Sequence, residues 1–422
     1  MTMSIDWGCL VMDKRYSELE RLRENLECRK KIDKWGTYNS TSPIKKEILK
    51  KLETILESQP EKTIFVFPSL LDWNIPLFQR PQHIALNLAK EGVLYLFGTA
   101  NVYDQVDTIE EISPHCFLVN MKDPVIEDAV FSFLQDLSNR VIVHLYSGDL
   151  TRGNEFVREC IERGFELLYE YIDELSPAIS GIPISRRIME RHSCILSDPS
   201  CYVIATADKL YKDILDTREP IRSALITNGV DYLHFSEKAK DSRTPLMDHI
   251  INEKKPIIGY FGALASWFDY DLMEKLAQSK VDYQLVLIGL DYDQSINKSR
   301  LLAYPNVHYL GAVPYDQLPF YAQKFDISVI PFLINEVTIS TSPIKLFEYM
   351  AVGRPIVTTA LPECLKYKTV FVANNHTDFL EKVEYALSAK SDVHLKDALQ
   401  KEARKNTWND KAKAILKLLI IE

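Results

Sequence analysis

The sequence lacks a C-x-x-C pair, an excess of basic residues, a long apolar run and a low-complexity tract. Each absence removes a class of protein. Cys9, Cys28, Cys116, Cys160, Cys194, Cys201 and Cys364 are scattered and odd in number, which points to reduced thiols and away from a zinc site or a disulfide framework. A formal net charge of −9 argues against a nucleic-acid partner, whose usual footprint is a basic surface. No window approaches the ~20 apolar residues that a membrane-spanning helix needs. The first residues, Asp6 among them, do not form a signal peptide. The expectation is therefore a cytoplasmic protein, with any contact at the inner membrane peripheral.

What remains is a chain of 422 residues, 46% hydrophobic and 26% charged, long enough for two domains with real cores. Residues 1–60 read as a helical N-terminal extension: Leu19, Leu22 and Leu26 recur at helical spacing in "RYSELERLRENLECRKKIDKW". From residue 61 to 240 the pattern changes to short apolar runs, among them "TIFVFP", "VLYLF", "CFLV", "RVIVHLYS", "ELLYEYI", "YVIATA" and "ALITN". Helical segments separate many of them, such as "PQHIALNLAKEG" with Pro81 in its first turn and Gly92 after its end. Continuous apolar runs, unlike alternating ones, indicate parallel strands buried on both faces. A polar stretch over 234–256 marks a boundary. A second series follows over 256–392: "IIGYFG", "YQLVLIG", "NVHYLG", "DISVIPF", "PIVTTA" and "TVFVAN". The fold expected is α/β, two Rossmann-like doubly wound domains facing across a cleft. Residues 393–422 read as helices that pack back across the domains, with a basic amphipathic contact to an anionic membrane as the alternative.

The stretch "SPIKLFEYMAVGRPIVTT" (342–359) carries the sharpest chemistry. Lys345 and Glu348 stand three residues apart in an otherwise apolar helical run, and so share one face. Ser342 and Pro343 open the run, and the N–H groups at Ile344 and Lys345 then point outward. A helix start beside a lysine suits a diphosphate, and an ionised Glu348 can accept the two hydroxyls of a ribose. The bland alternative is a surface ion pair worth a few tenths of a kcal/mol.

This stretch resembles the donor-binding signature of GT-B glycosyltransferases of the GT4-like group. "GYFGALASWFDYDLM", "LVLIGL", "NVHYLGAVPYDQLPFYAQKFDISVIPF" and "TNGVD" resemble its other blocks. "DWNIPLFQRPQHIALNLAKEG" and "YEYIDEL" resemble a branch that includes teichuronic-acid and other surface-polysaccharide transferases. The resemblance implies a nucleotide diphosphate sugar as donor, a UDP-sugar first, and a glycan or lipid-linked acceptor. It also implies transfer with retention and without metal or other cofactor. Lys345 and the Ser342–Ile344 amides would meet the diphosphate and Glu348 the ribose. Val313 and Pro314 would border the base, and Gly262 would approach the phosphates. Two departures stand out. Ser340 occupies the place of a glutamate that touches the donor sugar in the wider group, and Trp267, Phe268 and Asp269 stand where an Arg/Lys pair is common.

Asp173, at the C-terminal edge of a strand, is a candidate for orienting the acceptor or the transferred sugar, against a helix-start acid as the plain reading. Trp73, Arg80, Gln82 and His83 combine polar groups with an aromatic plate and are candidate acceptor ligands, although a helix start alone explains such polarity. His144 reads as a core histidine. The two "DYD" triplets at 269–271 and 291–293 invite a metal, but their context is that of helix caps and turns. Rival functions are a nucleotide-sugar epimerase of the same architecture, for which no convincing acid/base set assembles, and a non-catalytic sugar-nucleotide or glycan-binding subunit.

Overall fold

The computed structural model describes residues 42–59, 62–237, 244–279 and 282–420. Eight strands build the first sheet: β1 (Ile64–Phe67), β2 (Leu94–Gly98), β3 (Ile109–Ser113), β4 (Cys116–Val119), β5 (Val141–Tyr146), β6 (Glu166–Tyr171), β7 (Tyr202–Ala205) and β8 (Ser223–Leu225). Their spatial order is β3-β4-β2-β1-β5-β6-β7-β8. All neighbours pair in parallel except β3 with β4. Strands β1, β2, β4 and β7 are buried at every residue, as helices on both faces require. Strand β3 was not foreseen. Its sequence, Ile-Glu-Glu-Ile-Ser, exposes Glu110 and Glu111, charges that suit a sheet edge closed to further pairing.

The last part of the N-terminal extension is a layer of this domain. The helix Pro43–Glu57 buries Ile48, Leu52 and Leu56 in the same apolar core as Ile64, Val66, Leu94 and Val130. Lys45 Nζ also reaches Asp128 Oδ2 at 2.8 Å. The expected helix through Leu19, Leu22 and Leu26 lies outside the described residues.

The second sheet holds β9 (Ile257–Phe261), β10 (Gln284–Ile288), β11 (Val307–Tyr309), β12 (Ile327–Ile330), β13 (Ile356–Thr359) and β14 (Phe371–Ala373), in the order β11-β10-β9-β12-β13-β14. Every pair is parallel. The order reverses at β1 in one sheet and at β9 in the other. Doubly wound sheets bind ligands outside the strand ends at such reversals. Here the strand ends of the two sheets line one cleft.

The C-terminal tail joins both domains. The helix Val393–Arg404 buries Leu399 and Ala403 in the second core. The helix Trp408–Ile420 crosses to the first, where Trp408, Ala412, Ile415 and Leu419 pack with Phe65, Tyr95 and Ile142. Arg140 Nη2 donates to the Leu419 carbonyl at 2.8 Å. Most of this helix's apolar face is therefore covered by protein, with Ile420 left exposed. Among the described residues no helix is long and apolar enough to cross a membrane.

Candidate active site

The helix Ile344–Val352 is apolar nearly all round and buried accordingly: Leu346, Phe347, Tyr349, Met350 and Ala351 are fully enclosed. Pro343 stands at its N-cap, one place earlier than the sequence suggests, and Gly353 ends it with φ +76°. Tyr349 Oη accepts a 2.8 Å hydrogen bond from the Phe261 amide, which fixes the helix to the end of β9. The helix start therefore faces the cleft beside Gly262.

On this helix the two charged side chains are not an ion pair. Lys345 Nζ lies 4.7 Å from the Phe332 ring centre and 5.5 Å from that of Tyr260, a cation held over aromatic faces. Glu348 is only 5% exposed, and neither group has a hydrogen-bonded partner among the described residues. Burial pulls the Lys345 ammonium down to about 8, partly offset by Glu348. The same cause pushes the Glu348 carboxyl up to about 8, partly offset by Lys345. Two desolvated, unpaired groups in a cleft are poised for a ligand. The plain reading, an i,i+3 surface pair, does not fit this geometry.

Gly262 makes the lysine's position available. With φ +133°, it passes so close that a Cβ there would sit 2.6 Å from Lys345 Cε. The cavity above it measures about 340 Å³ and draws its walls from both domains. Trp267, Val313, Ser342, Pro343 and Ile344 join Gly262, Lys345 and Glu348 in the wall. Pro314 and Ser340 do not. Pro314 opens a turn through its carbonyl. Ser340 is fully buried, its Oγ donating to the Glu336 carbonyl at 3.1 Å and lying 3.4 Å from Glu174 Oε2 of the other domain.

Three of the four candidate acceptor ligands have structural partners in place of a role in the cavity wall. Trp73 meets Phe78 and Phe97 edge-on. Gln82 closes a capping box with Gln79. His83 stacks on Trp408 at 4.6 Å, and burial holds its imidazole down at about 3, so it stays neutral. Arg80 does line the cavity, but as a buried fork to Glu170 at 3.0 and 2.9 Å. Glu170 is held down at about 2; burial would raise it, and Arg80 foremost with His144 outweighs that. His144 Nδ1 bonds Tyr95 Oη at 2.8 Å, which makes it the core histidine expected. Arg80 acts on the cleft through others: it bonds the Thr227 carbonyl and Asn228 Oδ1. The Asn228 amide in turn donates to Ser342 Oγ at 3.2 Å.

Asn228 and Tyr315 were not singled out from the sequence, although both stand in stretches that carry the family resemblance. Tyr315 lines the cavity with its hydroxyl buried and without a partner among the described residues, stacked on Phe78 across the cleft at 5.1 Å.

Asp173 enters the cavity from the N-terminal domain. Ser147 Oγ accepts from the Ile172 amide at 3.1 Å and bonds the Asp173 carbonyl at 3.3 Å, which sets the strand end. The Asp173 carboxyl itself has no partner among the described residues, and desolvation pushes it up to about 7. It caps no helix, because Ser176 caps the next one. Of the "DYD" aspartates, Asp269 accepts from Leu272 N and His376, Asp293 from the Ser266 and Ser295 amides, and Asp291 Oδ2 from Asn297.

Residues 255–389, the domain that carries Gly262, Lys345 and Glu348, match the family model for glycosyl transferases group 1. The chain carries a group 1 glycosyltransferase domain. A Bacillus subtilis (strain 168) protein described as the teichuronic acid biosynthesis glycosyltransferase TuaH is 24% identical over 267 residues. That match covers 60% of this chain and 66% of the relative, just under two thirds of its length. Among solved structures, sucrose-phosphate synthase from Thermosynechococcus elongatus aligns with a TM-score of 0.63 at 16% identity, over 85% of this chain and 98% of that one. Anabaena HepE in complex with UDP-glucose aligns with a TM-score of 0.60 at 15% identity, over 85% and 99%. The glycosyltransferase domain thus sits in a two-domain GT-B fold.

Proposed function

We propose that this protein transfers a sugar from a nucleotide diphosphate sugar, a UDP-sugar first, to a glycan or lipid-linked acceptor in bacterial surface polysaccharide synthesis. Transfer proceeds with retention and without metal. One observation carries the reading: Lys345 lies under Gly262 at a helix start, with Glu348 one turn on, both desolvated and neither paired. The diphosphate lies against the helix start and Lys345. The ribose hydroxyls donate to Glu348, and the base borders Val313 and Tyr315. The UDP-glucose bound to HepE supports the donor class, and the name of the Bacillus relative supports the pathway.

Chemistry follows from where charge builds. As the sugar C1–O bond to the diphosphate breaks, negative charge grows on the departing phosphate, and a fixed cation with helix-end amides stabilises it more than the intact donor. On the retaining route the acceptor oxygen bonds C1 from the same face, and its proton passes to the departing phosphate oxygen. Asp173 orients that acceptor hydroxyl from the opposite domain. Metal independence rests on the family resemblance and on the engagement of Asp269 and Asp293 in a cap and a turn.

The deciding experiment is a thermal-shift panel of nucleotides and nucleotide sugars, followed by transfer assays in excess EDTA. The right donor at ~100 Kd contributes ~2.7 kcal/mol of stability. Transfer should survive EDTA and give a product of unchanged anomeric configuration by NMR. Failure of every nucleotide to bind would remove the reading, and loss of activity restored by Mg²⁺ or Mn²⁺ would remove metal independence.

A further inference from the structure

A second cavity of about 360 Å³ opens on the other side of Asp173. It lies mostly in the N-terminal domain, between the turn after β5 and the segment 174–184 after β6, with Leu290 and Tyr292 of the other domain closing one side. Pro76, Leu77, Gln79, Ile172, Asp173, Ile179 and Tyr292 border both cavities, so the two chambers share a wall that includes Asp173.

The chemistry of the two walls differs. The second chamber presents aliphatic side chains, Leu71, Ile75, Leu150, Leu175, Ile182 and Ile184, beside the rings of Tyr103, Tyr146 and Tyr292. Its polar side chains are largely used within the protein. Ser147 holds the end of β6, Thr151 bonds Asp149 at 2.6 Å, and Ser176 caps a helix. Ser180 bonds the Ile182 carbonyl at 2.6 Å, and Glu174 bonds Tyr171 Oη at 3.0 Å and pairs with Lys209. A bare glycan seated there would leave buried hydroxyls without partners, which is costly. An aliphatic chain would not. The Asp173 carboxyl, without a partner of its own, stands where the polar end of such a molecule would emerge toward the donor chamber.

We infer that the acceptor carries an aliphatic chain seated in this second chamber, with its reacting hydroxyl at Asp173. The inference rests on the transferase reading above and narrows its acceptor, a glycan or a lipid-linked molecule, to the lipid-linked one. Methylene burial is worth ~0.8 kcal/mol each, or about fourfold in affinity.

The test uses the full chain saturated with UDP and a series of methyl, butyl, hexyl and octyl β-glucosides below their micelle-forming concentrations. Calorimetry should show affinity rising about three- to fourfold per methylene until the chamber is full. Ile182→Asp and Ile184→Asp alter partly exposed residues of the chamber wall. Both should flatten that dependence while leaving UDP affinity unchanged, which also reports that each variant is folded. Intact UDP binding with no effect of chain length in the wild type overturns the lipid-chain inference and leaves the donor reading standing. A dependence that persists undiminished in both variants places the chain elsewhere and also overturns it. Absence of binding by UDP and every other nucleotide overturns the transferase reading, and this inference with it.

Discussion

At the residue scale, Lys345, Glu348 and Asp173 make separable predictions. Lys345→Ala should lower turnover at saturating donor by about 10²-fold, more than it weakens donor binding, because its charge meets the phosphate most strongly as it departs. Glu348→Gln should act mainly on affinity, since a ribose contact changes little during reaction; leaving a buried hydroxyl without its acceptor costs about 1–3 kcal/mol. Steady-state kinetics beside UDP titrations separate the two, and unchanged parameters in both folded variants would return the pair to a structural role. Asp173 is held at about 7, so its carboxylate forms as pH rises through neutrality. Acceptor kcat/KM should climb across that window, and Asp173→Asn should lose both the limb and about 10²-fold of activity. The linkage sign is opposite for folding. Between the ordinary carboxylate range and about 7 the native state keeps a proton that the unfolded chain releases, so stability falls as pH rises there. Glu348, raised to about 8, contributes a fall of the same sign, so Asp173→Asn should show a smaller fall than the wild type in denaturant titrations at pH 5 and 7.5. Lys345 and Glu348 stand out in the sequence as a charged pair inside an apolar run, and the structure brings both to the cavity wall. Trp73 and His83 lie outside the cavity wall because of partners distant in sequence, Phe97 and Trp408, which become neighbours only in the fold, whereas the Gln82 cap with Gln79 is local.

At the element scale, the fourteen strands divide by how loudly burial speaks in them. Parallel strands sealed on both faces must be continuously apolar, so "IFVF" or "QLVLI" announce themselves. Strand β3 does not, because an edge strand with Glu110 and Glu111 has the composition of a loop. The helix Pro43–Glu57 was read as part of an extension, since an amphipathic pattern shows that a helix has an apolar face but not what covers it. Ile48 and Leu52 are 0% and 1% exposed, so this helix belongs to the first core. Leu52→Ala should therefore cost ~2–5 kcal/mol in urea unfolding, with UDP affinity unchanged because the donor residues lie in the other domain. Removing residues 1–58 should destabilise the N-terminal domain at least as much. A cost for Leu52→Ala near zero would return the helix to the status of an appendage.

At the scale of the whole molecule, the tail decides how independently the domains behave. Its first helix is part of the second core through Leu399 and Ala403, and its last is part of the first through Trp408, Ile415 and Leu419. Between them Asn406 and Thr407 run beside Gly229 and Val230, where the N-terminal domain hands the chain over. Each core thus holds one end of the same short tail, and Lys411 of its last helix also lies 5.8 Å from the Phe347 ring centre of the second core. The wild type should therefore unfold in a single calorimetric transition, although two-domain proteins often show two. Trp408 is the pin: it is 1% exposed and stacked on His83, so Trp408→Ala should cost ~3–5 kcal/mol. The transition should then separate into two, and saturating UDP should raise only the one that belongs to the C-terminal domain. A variant that still melts in one step, with UDP shifting the whole of it, would show that the direct contacts across the cleft, Asn228 with Ser342 and Phe78 with Tyr315, couple the domains without the tail.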